Sequence, residues 1–242
     1  MKRFLIYLMI VLVIWSIVFS VSTTIATSNN ELLTKIVLKG YLNGTSILSS
    51  MDDSKLFQDE SGVVFYESFL LLYPEGIQND SYTVPDCITV IGPGAFANNS
   101  YLQQVVLGNN VLIIDDSAFE NCSSLTKIEL SKHLYYIGFS AFYNCRNLSS
   151  VDIPDSVKHI GTQAFCQSGL EAHLILPNEI EYLGDEAFAQ TYIQSVELPS
   201  HDFTVGKWIF TEPCDIYTPL VSYNTAFHIA EYSDCNIIPV TY

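Results

Sequence analysis

Lysine and arginine are scarce in this chain. Only 10 of its 242 residues are basic, against 26 acidic ones, which gives a formal net charge of −16 at pH 7. Nucleic acids and anionic membrane surfaces both attract proteins through clustered lysine and arginine side chains. The composition therefore argues against both as partners. The acidic excess fits a basic partner, or simply acidic side chains that keep the turns solvated.

Residue patterns that carry chemistry are also missing. Six cysteines are present, but none forms a Cys-x-x-Cys pair, so a zinc or thioredoxin-like site has no support. The five histidines are not at metal-ligand spacing from another histidine or a cysteine, and acidic pairs such as Asp115-Asp116 fall at variable turn positions. We therefore predict no catalytic residue, no metal site and no cofactor, and we expect that the protein is not an enzyme.

A short phrase, in contrast, is present six times. An aliphatic residue, usually followed by glycine, stands four positions before the alanine of an Ala-Phe pair, as in Ile137-Gly138-x-x-Ala141-Phe142, and the last copy has Ile209-Phe210 in place of Ala-Phe. The six phenylalanines are Phe96, Phe119, Phe142, Phe165, Phe188 and Phe210. Their spacing is 23 residues in four steps and 22 in the last. Constant spacing of this size is typical of a solenoid, whose stacked units contact mainly their neighbours.

Each position of the repeated unit has a predicted structural role. Alternation such as Ile128-x-Leu130 predicts a short strand with one buried face. Proline follows this strand in several units, as Pro154 does, and ends it because proline has no N–H to donate. The Ile-Gly pair is predicted to turn the chain, with glycine adopting dihedral angles that other residues resist. Alanine leaves room in a tight coil, and we expect the phenylalanines to stack as an aromatic spine.

This unit resembles a leucine-rich repeat of the BspA-like type, whose 23-residue consensus is L-x-x-V-x-L-P-x-x-V-x-x-I-G-x-x-A-F-x-x-C. The resemblance covers roughly residues 54–242. Residues 62–66 and 70–74 resemble the hairpin that precedes the first repeat of the family, and residues 216–227 resemble its closing strand and capping helix. The resemblance implies a repeat solenoid with a short parallel β-sheet on the concave face, an N-terminal β-hairpin cap and a C-terminal helix cap.

The chain departs from the family pattern at two places. Asp115 stands where glycine is usual, and Lys207-Trp208-Ile209-Phe210 differs from the consensus phrase. We therefore expect the last repeat to be distorted.

The sequence divides into four predicted regions. Residues 1–26 are a signal peptide or an N-terminal membrane anchor, because Lys2 and Arg3 precede an uncharged run over residues 4–21. Residues 27–80 form an N-terminal region with the capping hairpin, residues 81–213 hold about six repeats of 22–23 residues, and residues 214–242 form the C-terminal cap. The leader holds two basic residues and no acidic one, so its removal takes the net charge to about −18. With either kind of leader the repeats face outwards, and we predict a secreted or cell-surface protein.

The cysteines and the Asn-x-Ser/Thr sequences allow further predictions. Cys214 and Cys235 flank the predicted capping helix, where a disulfide would close the cap. Cys122 and Cys145 occupy the same place in successive units, where the family resemblance implies a buried small residue. They are either free thiols or a bonded pair, since a separation of about 5 Å permits both. Among the five Asn-x-Ser/Thr sequences, we select Asn43 and Asn79 as candidates for N-glycosylation.

Two surfaces are candidates for binding. The first is the outward face of the predicted strands, which we expect to form a six-stranded sheet with strands about 4.8 Å apart. Its candidate residues are Lys127, Glu129, Ser150, Asp152, His173 and Ile175. The second is the predicted turn before the Ile-Gly pairs, which carries Tyr135, Tyr136 and Tyr182, residues of a type that is enriched at interfaces.

The family resemblance implies adhesion to host proteins, matrix or neighbouring cells. We accordingly predict an exported or surface-displayed binding module for a protein ligand, with membrane contact only through an uncleaved N-terminal segment. The alternative is a structural or self-associating surface protein without a specific ligand.

Overall fold

The computed structural model describes residues 55–240. The predicted leader over residues 1–26, Asn43 and the rest of the chain before residue 55 lie outside the described residues. In chain order the strands are β1 (Leu56–Gln58), β2 (Val64–Tyr66), β3 (Phe69–Leu72), β4 (Ser81–Thr83), β5 (Val90–Ile91), β6 (Gln104–Val106), β7 (Ile113–Ile114), β8 (Lys127–Glu129), β9 (Tyr136–Ile137), β10 (His159–Ile160), β11 (Glu171–Ile175), β12 (Tyr182–Leu183), β13 (Tyr192–Glu197), β14 (Thr204–Val205), β15 (Asp215–Pro219) and β16 (Asn236–Val240). A short 3₁₀ turn, Leu220–Ser222, leads from β15 into the helix α1, Tyr223–Glu231.

The solenoid is built from parallel strands that come from successive coils. A nine-stranded sheet has the order β1-β2-β3-β5-β7-β9-β10-β12-β14, and its last seven strands, from β3 onward, pair in parallel. At its start, β1, β2 and β3 pair antiparallel. The predicted N-terminal hairpin cap is confirmed, and it is continuous with the solenoid because β3 pairs directly with β5.

The prediction that the Ile-Gly pair is a turn is wrong. The isoleucine instead ends a two-residue strand of the nine-stranded sheet, as in β9 and β10, where Ile137 is the partner of Ile160. The constant spacing along the chain places these residues side by side, so that each coil hydrogen-bonds to the next.

The glycines of this phrase are needed for space and not for unusual dihedral angles. A Cβ on Gly161 would lie 2.6 Å from the carbonyl carbon of Gly138 in the neighbouring coil. The left-handed backbone positions of each coil are occupied by other residues. One row has φ between 51° and 57° at Ser117, Ser140, Gln163, Glu186 and Trp208, and a second row has φ between 56° and 63° at Asn98, Asn121, Asn144, Gln167 and Gln190.

Asparagine suits the second row because it tolerates the left-handed region and can bond to its neighbour. The amide Nδ2 of Asn121 donates to Oδ1 of Asn98 at 3.1 Å, and Nδ2 of Asn144 donates to Oδ1 of Asn121 at 2.7 Å. The result is a ladder of side-chain amides along three coils.

The expected six-stranded sheet is interrupted. A three-stranded sheet, β4-β6-β8, and a four-stranded sheet, β11-β13-β15-β16, are separated at Ser150–Asp152, which are not a strand. The hydrogen-bond register between this coil and the next one changes here. The N–H of Gly169 donates to a carbonyl 24 residues earlier, whereas that of Glu171 donates to one 22 residues earlier. This slip prevents the regular ladder from continuing through Ser150–Asp152.

The predicted aromatic spine is confirmed. Rings of successive phenylalanines from Phe96 to Phe188 stack nearly parallel, with centroids 4.7–5.2 Å apart and interplanar angles of 3–8°. Tyr73 from the hairpin cap stacks on Phe96 at 5.1 Å, and Phe210 stacks on Phe188 at the wider spacing of 5.9 Å. The alanine before each phenylalanine from Ala95 to Ala187 is fully buried.

The C-terminal cap contains the predicted helix and one strand more than predicted. Helix α1 buries Ala226 and Ile229 in the core. The chain then adds β16 to the edge of the sheet, parallel to β15, with Ile216 opposite Ile237. Helix and strand together cover the last coil.

The spine generates a stability prediction. We expect Phe142→Ala to lower the free energy of unfolding by about 3–5 kcal/mol, because it opens a cavity between two stacked rings. Urea denaturation followed by circular dichroism measures the change. Phe139→Ala is the control, because the Phe139 side chain is exposed and its loss should change stability by less than about 1 kcal/mol. Equal effects of the two substitutions would contradict the assigned role of the spine.

The close approach of the coils generates a second prediction. Gly161→Ala should destabilise the protein by about 1–3 kcal/mol, because the new methyl group meets the backbone of the preceding coil. Gly76→Ala is the matched control, since a Cβ there meets nothing within 4 Å. Thermal unfolding of the two variants checks the difference, and an unchanged melting temperature for Gly161→Ala would show that the coils have room to spare.

Candidate interaction surface

The two predicted surfaces lie on different sheets. Lys127 and Glu129 are on β8 in the three-stranded sheet, and His173 and Ile175 are on β11 in the four-stranded sheet. Ser150 and Asp152 are exposed but lie in the interruption between the two sheets. The predicted continuous lattice of strand residues is therefore divided into two short patches.

Within each patch the polar side chains bind one another. Lys127 Nζ lies 2.6 Å from Glu129 Oε1 on the same strand. His173 Nδ1 is 2.8 Å from Ser195 Oγ, and its Nε2 is 3.8 Å from Glu197 Oε2. Exposed ion pairs of this kind contribute little to stability. On β11 the exposed apolar residue of this face is Ile175, which is 60% exposed.

The second surface is a continuous strip on the nine-stranded sheet. We call it the tyrosine strip, and its residues are Leu112, Tyr135, Tyr136, Lys158, His159, Glu181 and Tyr182. Because the strands pair in register, Tyr136, His159 and Tyr182 are direct neighbours across β9, β10 and β12. The sequence pattern predicted these residues as neighbours, and they are neighbours in the structure. Their predicted placement in a turn was wrong, because Tyr136, His159 and Tyr182 each begin a two-residue strand.

His159 is at the centre of the tyrosine strip. Its ring centroid lies 5.5 Å from that of Tyr135 and 6.3 Å from those of Tyr136 and Tyr182. Tyr135 and Tyr182 are exposed, while Tyr136 and His159 are half-buried. Burial raises the pKa of the Tyr136 hydroxyl, and the nearby carboxylate of Asp116 raises it further, so the ring is uncharged at neutral pH. The strip thus presents four clustered rings.

The charges of the tyrosine strip balance each other. Lys158 Nζ lies 2.8 Å from Glu181 Oε1, and His159 Nε2 is 4.0 Å from Glu181 Oε2. The hydrogen bond raises the pKa of Lys158 and lowers the pKa of Glu181, so both groups are charged at neutral pH. In a chain with a large acidic excess, this strip is locally close to neutral.

A shallow depression extends the tyrosine strip. It has a volume of about 340 Å³ and is lined by residues 180–181 and 201–204. His201 Nε2 lies 2.9 Å from the carbonyl oxygen of Ile180, which ties the last repeat to the coil before it. This depression was not predicted from the sequence, because residues 201–204 belong to the repeat that departs from the consensus.

The model of the BspA type leucine rich repeat region, in six copies, matches residues 78–222. The chain belongs to the BspA-type leucine-rich repeat family. No curated protein sequence matches it.

Solved structures share the leucine-rich repeat fold. A leucine-rich repeat protein of T. pallidum is 22% identical, with a TM-score of 0.52 over 68% of this chain and 82% of that one. A leucine-rich repeat protein of Eubacterium ventriosum is 15% identical, with a TM-score of 0.51 over 65% of this chain and 50% of that one. A leucine rich cell surface protein of Faecalibacterium prausnitzii is 25% identical, with a TM-score of 0.47 over 57% of this chain and 37% of that one. This BspA-type chain matches less than half the length of the Faecalibacterium protein.

Two properties of the described part of this BspA-type protein bear on its chemistry. Within residues 55–240, no helix is long and apolar enough to cross a membrane. In the same range, no three histidine, cysteine, aspartate or glutamate side chains are grouped so that they could hold a metal ion.

The consensus cysteines of the family are buried thiols here. Cys122 Sγ donates to the carbonyl oxygen of Phe96, and Cys145 Sγ donates to that of Phe119, each at 3.1 Å. Burial raises the pKa of the Cys145 thiol. For Cys122 and Cys145 the alternatives were free thiols or a disulfide, and in the structure both are free thiols.

Cys214 and Cys235 are placed differently. They directly precede β15 and β16, and the N–H of Asn236 donates to the carbonyl oxygen of Cys214 at 2.8 Å, so the cysteines are side by side. Both are thiols in the structure. The hydrogen bond between them raises the pKa of Cys214 and lowers the pKa of Cys235, so Cys235 is the first of the two to ionise. Asn79, the glycosylation candidate in the described range, is exposed, and its modification stays a prediction.

The contrast between the two pairs generates a prediction. Under mild oxidation we expect a disulfide between Cys214 and Cys235, because the lowered pKa of Cys235 favours its reactive thiolate, whereas Cys122 and Cys145 are both buried away from an oxidant. Alkylation followed by peptide mass spectrometry identifies the bonded pair. Cys235→Ser should leave Cys214 unbonded and open to alkylation once the protein is denatured, and a bond between Cys122 and Cys145 formed in the native protein would contradict the assignment.

Proposed function

We propose that this chain is an exported or surface-displayed binding module, and that the tyrosine strip is where it holds a protein partner in adhesion. The observation that carries the proposal is the clustering of Tyr136, His159 and Tyr182 on three adjacent strands, with Tyr135 directly before the first of them. Tyrosine is enriched at protein interfaces and among the residues that dominate binding energy.

The rigidity of the tyrosine strip supports the same role. Strands β9, β10 and β12 are each hydrogen-bonded to a neighbour on both sides, and the isoleucine or leucine that ends each of them is fully buried. A surface fixed in this way loses little conformational freedom when a partner binds.

The charge distribution favours a protein partner over a nucleic acid. The one lysine of the strip is bonded to Glu181, so it adds no free positive charge for phosphate. Export is supported by the uncharged run over residues 4–21, and adhesion is a function implied by the BspA-like resemblance. Our proposal assigns no catalytic residues, because the residues that repeat from coil to coil each have a structural role.

The test measures binding of the full chain to a panel of purified matrix proteins, such as collagens and laminins, by surface plasmon resonance. Tyr135→Ala combined with Tyr182→Ala should weaken any interaction at least about tenfold, because both exposed rings are removed from the centre of the interface. Lys127→Ala combined with Glu129→Ala is the control on the other sheet and should leave affinity unchanged.

Three results would count against this proposal. One is an affinity that changes with the control and not with the tyrosine variant. Another is no binding to any member of the panel. A third is concentration-dependent association of the chain in analytical ultracentrifugation that the tyrosine variant abolishes, which would favour the self-associating alternative.

A further inference from the structure

A notch lies on the side of the coils that follows the spine phenylalanines. From Phe142 the chain takes six residues to the next core leucine, Leu148, but from Phe165 it takes only five, to Leu170. The coil of Phe188 is shortened in the same way. A cavity of about 410 Å³ is present beside these two short turns. We call it the Tyr192 notch, after its most exposed residue, and its lining includes Arg146, Gln167, Ser168, Gln190, Tyr192 and Glu212.

The notch begins where the ladder of side-chain amides ends. Asn98, Asn121 and Asn144 bond to one another, but the next two members of the same left-handed row are Gln167 and Gln190. Within residues 55–240 the side-chain amides of these two glutamines have no hydrogen-bond partner. Each therefore keeps a donor and an acceptor that a bound molecule can use.

A buried hydroxyl in the notch is also unsatisfied. Ser168 is 1% exposed, and its Oγ makes no hydrogen bond among the described residues. A buried polar atom without a partner destabilises the folded protein and calls for an explanation. A ligand that supplies the missing hydrogen bond is one such explanation.

Opposite charges line the notch without pairing to each other. Arg146 Nε donates to Asn144 Oδ1 at 2.7 Å, but the two terminal nitrogens of its guanidinium have no partner in the described part of the chain. The carboxylate of Glu212 likewise makes no ion pair there. One group offers donors only, and the other offers acceptors only.

Tyr192 provides a flat apolar face in this polar setting. It begins β13 and is 70% exposed, more than any other large hydrophobic residue whose burial the structure describes. Its position is fixed, because its N–H donates to the carbonyl oxygen of Leu170 at 2.8 Å. An exposed aromatic ring with an anchored backbone is suited to stacking against one face of a ligand.

We propose that the Tyr192 notch binds a short neutral saccharide. Sugar hydroxyls both donate and accept, which matches amide, hydroxyl, guanidinium and carboxylate groups in one small space, and the C–H face of a sugar ring can stack on Tyr192. An apolar ligand would leave the polar lining unsatisfied. An anion could pair with Arg146 but would be repelled by Glu212, whereas a neutral ligand can bind to both. The volume lies at the lower end of the usual range for small-molecule sites, about 300–1,000 Å³, so one or two sugar rings fit and a longer glycan would extend out of it.

The test titrates the full chain with galactose, N-acetylglucosamine, lactose and cellobiose, and follows binding by isothermal titration calorimetry and by saturation-transfer NMR. At least one of these sugars should bind with a dissociation constant of about 1 mM or below. Tyr192→Ala and Gln190→Ala should each weaken that binding by about tenfold, because one removes the stacking face and the other a hydrogen-bonding amide.

Tyr101→Ala is the matched control, since Tyr101 is an exposed tyrosine on the corresponding turn of the coil of Phe96. It should bind sugar as the unmodified chain does, and so should the variant with alanine at Tyr135 and Tyr182, which separates this site from the tyrosine strip. The proposal is overturned if none of the sugars binds at about 50 mM, or if the Tyr192→Ala and Gln190→Ala variants bind sugar as tightly as the unmodified chain. It is also overturned if glycine or glutamate binds at the notch and none of the sugars does.

Discussion

The distance between successive coils is the constraint on which the rest of the structure depends. Parallel strands hydrogen-bond at about 4.8 Å, and stacked aromatic rings prefer a similar separation. The phenylalanine centroids are 4.7–5.2 Å apart through most of the spine, so both interactions are satisfied by one repeat distance. The same distance leaves no space for a Cβ at Gly138, Gly161 and Gly184, where the backbone of the preceding coil is within 2.7 Å. Glycine at these positions is therefore a consequence of the stacking.

Much of the fold could be predicted from the sequence because each coil repeats the same local chemistry. The spacing of phenylalanines predicted the spine, and the hairpin and helix caps followed from the family resemblance. The repeat strands of the nine-stranded sheet were missed, because each is only two residues long and shows no alternation that a periodicity argument could detect. The interruption at Ser150–Asp152 was missed for a different reason. Val151 and Ile153 keep the local pattern of a strand, and the slip that prevents pairing lies in the next coil, near Gly169 and Glu171.

The candidate surfaces were predictable in composition and less so in placement. Tyr135, Tyr136 and Tyr182 could be recognised as aromatic residues at equivalent repeat positions, but only the register of β9, β10 and β12 places His159 between them. The Tyr192 notch was not predicted, because it lies beside two turns that are one residue shorter than the turns of the other coils. A turn that is one residue shorter has no signature of its own until it is compared with the longer turn beside it.

The tyrosine strip and the Tyr192 notch also show how a solenoid can produce two kinds of surface. Perfect repetition places the same position of each coil beside its neighbour, which generates rows such as the tyrosine strip and the amide ladder. Rows are flat and extended, so they fit the surface of another macromolecule and cannot enclose a small one. A pocket requires that one coil differ from the next, and in this chain the differing coils are those of Phe165 and Phe188. In these coils glutamine replaces asparagine and the amide ladder stops after Asn144, so the amides of Gln167 and Gln190 have no partners within residues 55–240, and Tyr192 is exposed beside them. The position where the repeat is broken is thus the position where polar groups are available for recognition, and the regular coils on either side hold those groups in place.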